Sequence, residues 1–155
     1  MKNLRPWFAA GCLAVTLAST PVASAQGGPF GLGLFVGEPV GVTANIKFSE
    51  ARSIALLAAW SLGKGGGFYG HADYLFYKRG LFQIEGAPFD LHFGLGAGVG
   101  AHSDGAALAV RVPVGLGHTF RSAPIEVFVE LGLGAWLIPA TDLSVTGGIG
   151  GRYYF

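Results

Sequence analysis

Val40-Gly41-Val42-Thr43-Ala44-Asn45-Ile46-Lys47-Phe48 decides the fold. Its even positions are all apolar, and its odd positions hold glycine, threonine, asparagine and lysine. Side chains alternate between the two faces of a strand, so a period of two yields one apolar and one polar face. Working outward, the same alternation predicts strands over Phe30 to Val36, Ser53 to Leu62, Phe68 to Tyr77, Phe89 to Val99, Ala106 to Phe120, Ile125 to Leu137 and Leu143 to Phe155. Turn-rich segments separate them: Gly37 to Pro39, Ser49 to Arg52, Gly63 to Gly67, Lys78 to Pro88, Gly100 to Gly105, Arg121 to Pro124 and Pro139 to Asp142. An even number of strands joined mostly by short connections predicts an all-β fold, an eight-stranded antiparallel up-and-down barrel.

Which face looks outward decides the solvent. Leu32, Leu34, Ile46, Leu56, Leu91, Leu95, Val110, Val112, Val127, Val129, Leu131, Leu133, Val145 and Ile149 form one set. The opposite set mixes glycines with Lys47, His71, Asp73, Asp90, His92, Arg111, Glu126, Glu130 and Arg152. An eight-stranded barrel has little interior volume, so small residues belong inside it. The sequence has 27 glycines to supply them. The expected arrangement is that of a membrane barrel, apolar outside and polar within. Unpaired, each inner charge would carry a desolvation cost of several kcal/mol. A network joining Lys47, Arg111 and Arg152 to Asp73, Asp90, Glu126 and Glu130 is therefore expected, packed beside Tyr69, Tyr77, Phe128 and Tyr154. Aromatic rings collect at membrane boundaries. With the first strand starting at the periplasm, Phe30, Phe48, Phe76, Tyr77, Phe89, Phe120, Tyr153 and Phe155 fall at one end, and Phe35, Trp60, Phe68 and Trp136 at the other.

Composition agrees with this reading. The 155 residues suit one domain. They are 51% hydrophobic and only 12% charged, with a mean hydropathy of +0.50. Past the N-terminal segment, no apolar run approaches the ~20 residues of a spanning helix, so lipid contact falls to strands. A net charge of +1 offers no basic field for a phosphate backbone, so nucleic acid is not an expected partner. The single cysteine, Cys12, is N-terminal, so no disulfide and no cysteine metal site is expected in the remainder. No cofactor is expected.

The first 25 residues read as a secretory signal. Lys2 and Arg5 give a positive start, Pro6 to Val22 is largely apolar, and Ala23-Ser24-Ala25 presents small residues to a signal peptidase. Cleavage is expected between Ala25 and Gln26, leaving residues 26–155 as the barrel. An uncleaved membrane helix fits less well, because the stretch is short and broken by Pro21. Lipoprotein processing at Cys12 fits less well too, because the apolar stretch continues past it.

The chain ends Gly147-Gly148-Ile149-Gly150-Gly151-Arg152-Tyr153-Tyr154-Phe155, a terminal aromatic preceded by apolar or aromatic residues at alternate positions. This resembles the C-terminal strand of Gram-negative outer-membrane proteins, and the resemblance implies that Tyr153 and Phe155 form the signal read by the barrel-assembly machinery. Taken with Gly37-Glu38-Pro39-Val40-Gly41, His71-Ala72-Asp73-Tyr74 and Arg111-Val112-Pro113-Val114-Gly115, nearly all of Phe30 to Phe155 resembles a family of short, functionally uncharacterised outer-membrane barrels related in fold to the OmpA/OmpX type. It implies an exported protein of the outer membrane, with membrane lipid as its surroundings. Two features depart from the usual pattern. The connections assigned to the cell exterior are very short, while Lys78 to Pro88, assigned to the periplasm, is the longest. Pro113 also removes one ladder hydrogen bond inside a strand, so a bulge or strand break is expected there.

Candidate chemistry is sparse. His102-Ser103, with Asp104 beside it, is the closest serine-histidine pair that could act as nucleophile and base. Neighbours in a strand face opposite ways, so a polar turn is the preferred reading. His71 with Asp73, and Asp90 with His92, share one inner face on adjacent strands and could hold a metal. A hydrogen-bonded structural network is preferred, and no metal is assigned. Gly63-Lys64-Gly65-Gly66-Gly67 lacks the spacing of a phosphate loop and reads as a hairpin turn. The leading expectation is a non-catalytic, structural or accessory envelope barrel with a filled lumen. The competitors are a lipid A or phospholipid-modifying enzyme using His102 and Ser103, and a soluble periplasmic lipocalin-like carrier.

Overall fold

The computed structural model describes residues 27–60, 67–102 and 105–155. The expected signal segment and its cleavage site lie outside the described residues, as do Ser103 and Asp104. Eight strands follow in order: β1 (Phe30–Glu38), β2 (Val40–Ser49), β3 (Arg52–Trp60), β4 (Phe68–Ile84), β5 (Ala87–His102), β6 (Gly105–Thr119), β7 (Ile125–Ile138) and β8 (Asp142–Tyr154). Each pairs antiparallel with the next, and β8 pairs antiparallel with β1, closing one barrel. The alternating stretches of the sequence are the strands. Closure also leaves no free sheet edge around the ring.

The stagger follows from the register. Stepping round the ring from Leu32, partners run Ala44, Leu56, Ala72, Ala97, Val110, Ala135 and finally Leu143 on β8. Leu32's own partner on β8 is Tyr153, ten residues further along. A shear of that size over eight strands implies a tilt of roughly 40° and a backbone radius of about 8 Å. Inward side chains therefore meet at the axis.

Burial divides the faces as the alternation predicts. Leu95 is 67% exposed and Leu131 and Leu133 are 59% exposed, while Arg111, Glu130 and Arg152 are 5%, 7% and 4% exposed. Glycine makes room for the large inner groups. Added Cβ atoms at Gly150, Gly115, Gly132 and Gly31 would press on Phe128, His92, Arg111 and Tyr154 respectively. Each bulky inner side chain thus lies across a glycine of a neighbouring strand. Phe128 cannot swing aside, because Phe35 stacks on it at 6.1 Å and the Arg152 guanidinium lies 4.0 Å from its ring centre. Gly150→Ala is accordingly expected to destabilise the barrel by about 1–3 kcal/mol through overpacking. A shift in the urea midpoint checks this, and an unchanged midpoint would contradict the packing.

Four expectations are corrected. Lys78 to Pro88 is not a loop: β4 continues to Ile84 and β5 begins at Ala87, with Phe82 opposite Phe89. The turn is Glu85-Gly86, with φ of 48° and 81°, the left-handed pair that hairpin turns favour. Pro113 causes neither bulge nor break. Pairing of β5 with β6 lapses at Gly94 and Leu95 and resumes in the same register, while β6 remains one strand and Pro113 stays paired with Gly132 on β7. Tyr77, at 8% exposure, lies inside as its place in the inner set predicts and not in the girdle. Phe35 is buried inside, at 5% exposure, and Trp136 packs on the inner apolar cluster, so neither belongs to a girdle. The aromatic group at that end is thus Trp60 and Phe68, in edge contact at 5.9 Å. Finally, Asp90 leaves the expected network, as described below.

Candidate functional site

Among the described residues, most of the chemistry-bearing groups converge in the barrel interior. At the end away from the termini, Phe35, Leu57, Ala59, Tyr69 and Phe128 form an apolar cap, with Trp136 against it. Below it lies a first polar group. Arg111, from β6, reaches between strands: Nη2 donates to Glu130 Oε1 at 2.8 Å, and Nη1 lies 3.6 Å from Asp73 Oδ2. Glu130 Oε2 also meets His92 Nε2 at 3.1 Å. His71 lies 3.3 Å from Asp73 and 2.8 Å from Arg111 Nη1 through the same ring nitrogen, Nε2. Among the described residues neither Asp73 oxygen accepts a hydrogen bond; its polar neighbours are His71 at 3.3 Å and the Arg111 guanidinium at 3.6 Å.

A second group lies toward the termini. Arg152 donates through Nε and Nη2 to Thr43 Oγ1 at 3.1 and 2.8 Å, and its Nη1 lies 3.4 Å from Glu126. The Tyr154 hydroxyl donates to Glu126 Oε2 at 2.6 Å. Asn45 Nδ2 donates to the hydroxyls of Tyr77 and Tyr154 at 3.0 and 2.9 Å, and Ser53 donates to Tyr77 at 3.3 Å. Lys47 caps this layer, its Nζ 3.5 Å from the centre of the Tyr154 ring. Thus Arg111 and Arg152 pair with Asp73, Glu130 and Glu126, while Lys47 makes the number of inner cations equal to that of the carboxylates. Paired charges of this kind avoid the penalty an isolated buried ion would incur.

Of the predicted inner residues, the structure brings together His71, Asp73, His92, Arg111 and Glu130, and separately Glu126 and Arg152. Lys47 binds a ring face; among the described residues it makes no ion pair. Asp90 accepts instead from Arg79 Nη1 at 2.6 Å and from the Gly80 N–H at 2.7 Å, at the mouth of the barrel. Sequence reasoning overlooked Arg79, Thr43, Asn45 and Ser53 as partners. Thr43 and Asn45 share the polar face of β2 with Lys47, which was the available signal.

The four groups suggested for a metal do not converge. A different trio, His71, Asp73 and Glu130, has potential ligand atoms within 4.8 Å of one another. Arg111 already stands among them as the cation, so the arrangement matches an ion network. No serine or threonine hydroxyl is hydrogen-bonded to an imidazole among the described residues. The backbone of His102 ends β5, and its suggested partner Ser103 lies outside the described residues. Among the described residues, a void between the two polar groups measures about 10 Å³, bordered by Phe35, Thr43, His71 and Arg152. That is room for about one water molecule. At the termini end the mouth opens into a cavity of about 920 Å³ lined by Lys47, Arg79, Asp90, Arg121 and Tyr154. Tyr153 and Phe155 contact one another on the outer face at that end, with ring centres 5.0 Å apart. No family model, no curated protein and no solved structure matches this chain.

Proposed function

We propose that this protein is an integral outer-membrane β-barrel of a Gram-negative bacterium, exported by a cleaved signal segment, with a structural or accessory envelope role and a filled lumen. The observation behind it is the outer wall: large apolar side chains such as Leu34, Leu95, Val112, Leu131 and Val145 stand exposed all round the ring, over a buried ionic interior. A belt about 25 Å tall on a barrel this wide presents roughly 2,000 Å² of apolar surface. Monomers in water rarely expose more than a few hundred Å² in one patch. At about 25 cal/mol per Å², covering it with lipid is worth tens of kcal/mol, more than the whole stability of an ordinary domain. The OmpA/OmpX-like resemblance and the C-terminal assembly signal at Tyr153 and Phe155 belong to the same reading.

A lipocalin-like carrier needs an apolar interior for its ligand, whereas this interior holds paired charges, and the cavity of about 920 Å³ at its mouth is lined by Lys47, Arg79 and Asp90. Fractionation is the direct test. The protein is expected in detergent-extracted outer membrane and to migrate faster on unheated than on heated gels. Release without detergent would sink the proposal. Planar-bilayer recordings are expected to show no steady conductance, and a reproducible open channel would overturn the filled lumen.

A further inference from the structure

Among the described residues, the β4–β5 hairpin departs from a bare barrel wall by running past the rim. Beyond the last regular β4–β5 pair at the rim, Lys78 with Leu91, four residues from Leu81 to Ile84 continue the strand, and Leu81, Phe82 and Ile84 are exposed at 41%, 38% and 55%. The base is clamped. Asp90 accepts from Arg79 and from the Gly80 N–H, and Arg79 Nε donates to the Glu50 carbonyl at 2.8 Å. The bulge between Lys78 and Phe82 sits inside this clamp, and bulges re-aim the strands that carry them.

The hairpin's apolar face continues the outer wall. Phe82 stacks on Phe89 at 5.4 Å, Phe89 meets His118 at 5.4 Å, and His118 meets Phe120 at 4.8 Å. Ile84, two residues beyond Phe82, shares its face. At the base, exposed Lys78 and Arg52 bracket Phe76 of the outer wall. Four residues tilted by roughly 40° descend about 10 Å. A headgroup layer is about 5–8 Å thick on each side of the bilayer. Phe82, paired with Phe89 about 5 Å down, would therefore lie within that layer, and Ile84, paired with Ala87, at its outer boundary beside the Glu85-Gly86 turn. As a template for an added protein strand the hairpin is poor, because it is short and twisted by its bulge.

We propose that the β4–β5 hairpin docks on the lipid leaflet at the termini end of the barrel, Phe82 and Ile84 entering the headgroup layer while Arg52 and Lys78 face lipid phosphates. The inference rests on the membrane reading above, and its test separates the two. In a Cys12→Ser background, single variants Phe82→Cys, Ile84→Cys, Glu85→Cys and Leu95→Cys would carry an environment-sensitive fluorophore. The barrel would be folded into phosphatidylethanolamine vesicles containing one-quarter phosphatidylglycerol.

Labels at 82 and 84 are expected to be quenched by a spin label near the lipid glycerol, and several-fold less by aqueous iodide than the label at 85. If 82 and 84 respond to iodide and not to lipid while 95 responds to lipid, docking is wrong and the membrane reading stands. Labels at 82 and 84 shielded from both quenchers would indicate a protein contact and also overturn docking. A label at 95 silent to acyl-chain quenchers would remove the membrane reading itself.

Discussion

Replacing Arg111 by methionine is expected to destabilise the barrel by about 3–5 kcal/mol, the range seen when one partner of a buried ion group is deleted. Arg111 is the shared cation of two carboxylates, Asp73 at 3.6 Å and Glu130 at 2.8 Å, both nearly inaccessible to water. Methionine fills much of the volume but leaves both carboxylates buried with less compensation. Asp73 suffers most, since among the described residues it accepts no hydrogen bond and keeps only His71 at 3.3 Å, whereas Glu130 keeps its contact with His92 at 3.1 Å. The triple variant Arg111→Met, Asp73→Asn, Glu130→Gln is expected to recover more than half of the loss, because the stranded charges go with the arginine. Arg152→Met is expected to cost less: one carboxylate is stranded, and Glu126 keeps the Tyr154 hydroxyl. Equilibrium urea unfolding in lipid vesicles measures all three. A loss under about 1 kcal/mol for Arg111→Met would mean that the network contributes little beyond filling space.

Leu95→Arg is the second large effect. Leu95 is 67% exposed, sits midway along β5 and points out of the wall. In a bilayer, arginine at that depth costs about 2–4 kcal/mol, falling to about 0–1 near the interface. Phe120→Arg, just past the end of β6, is the rim control. On a protein bathed in water, both substitutions would stay within about 0.5 kcal/mol. A large loss at 95 and a small one at 120, by vesicle unfolding, is the expected pattern. Equal effects at both positions would argue against a lipid-facing wall.

Much of this architecture was legible along the chain. The alternation in Val40 to Phe48 marks β2 and its faces, and strand number and most boundaries follow from the same signal repeated. The same parity also places Phe35 and Trp136 inside, on the faces of Gly33 and Gly134. Assigning them to aromatic girdles weighed height along the strand and neglected face. Lys78 to Pro88 misled for another reason. Glycine and proline there resemble loop composition, yet Gly80 serves a bulge and Gly86 a two-residue turn. Once those residues are strand, Arg79 falls opposite Asp90 on the inner face, which is why Asp90 pairs at the mouth instead of joining Arg111.

Alternation and glycine content are local properties, so the chain by itself determined eight strands, a narrow interior and the side of the wall on which the charges of its regular alternating stretches lie. Which charges meet was decided only by the closed ring. Arg152 on β8 reaches Thr43 on β2, 109 residues away in sequence, and Asn45 reaches Tyr154 across the same distance. Period two specifies a face but neither a height nor a neighbour. Those depend on the ten-residue stagger and on the closure of β8 against β1, which turn separate polar faces into one interior of paired charges.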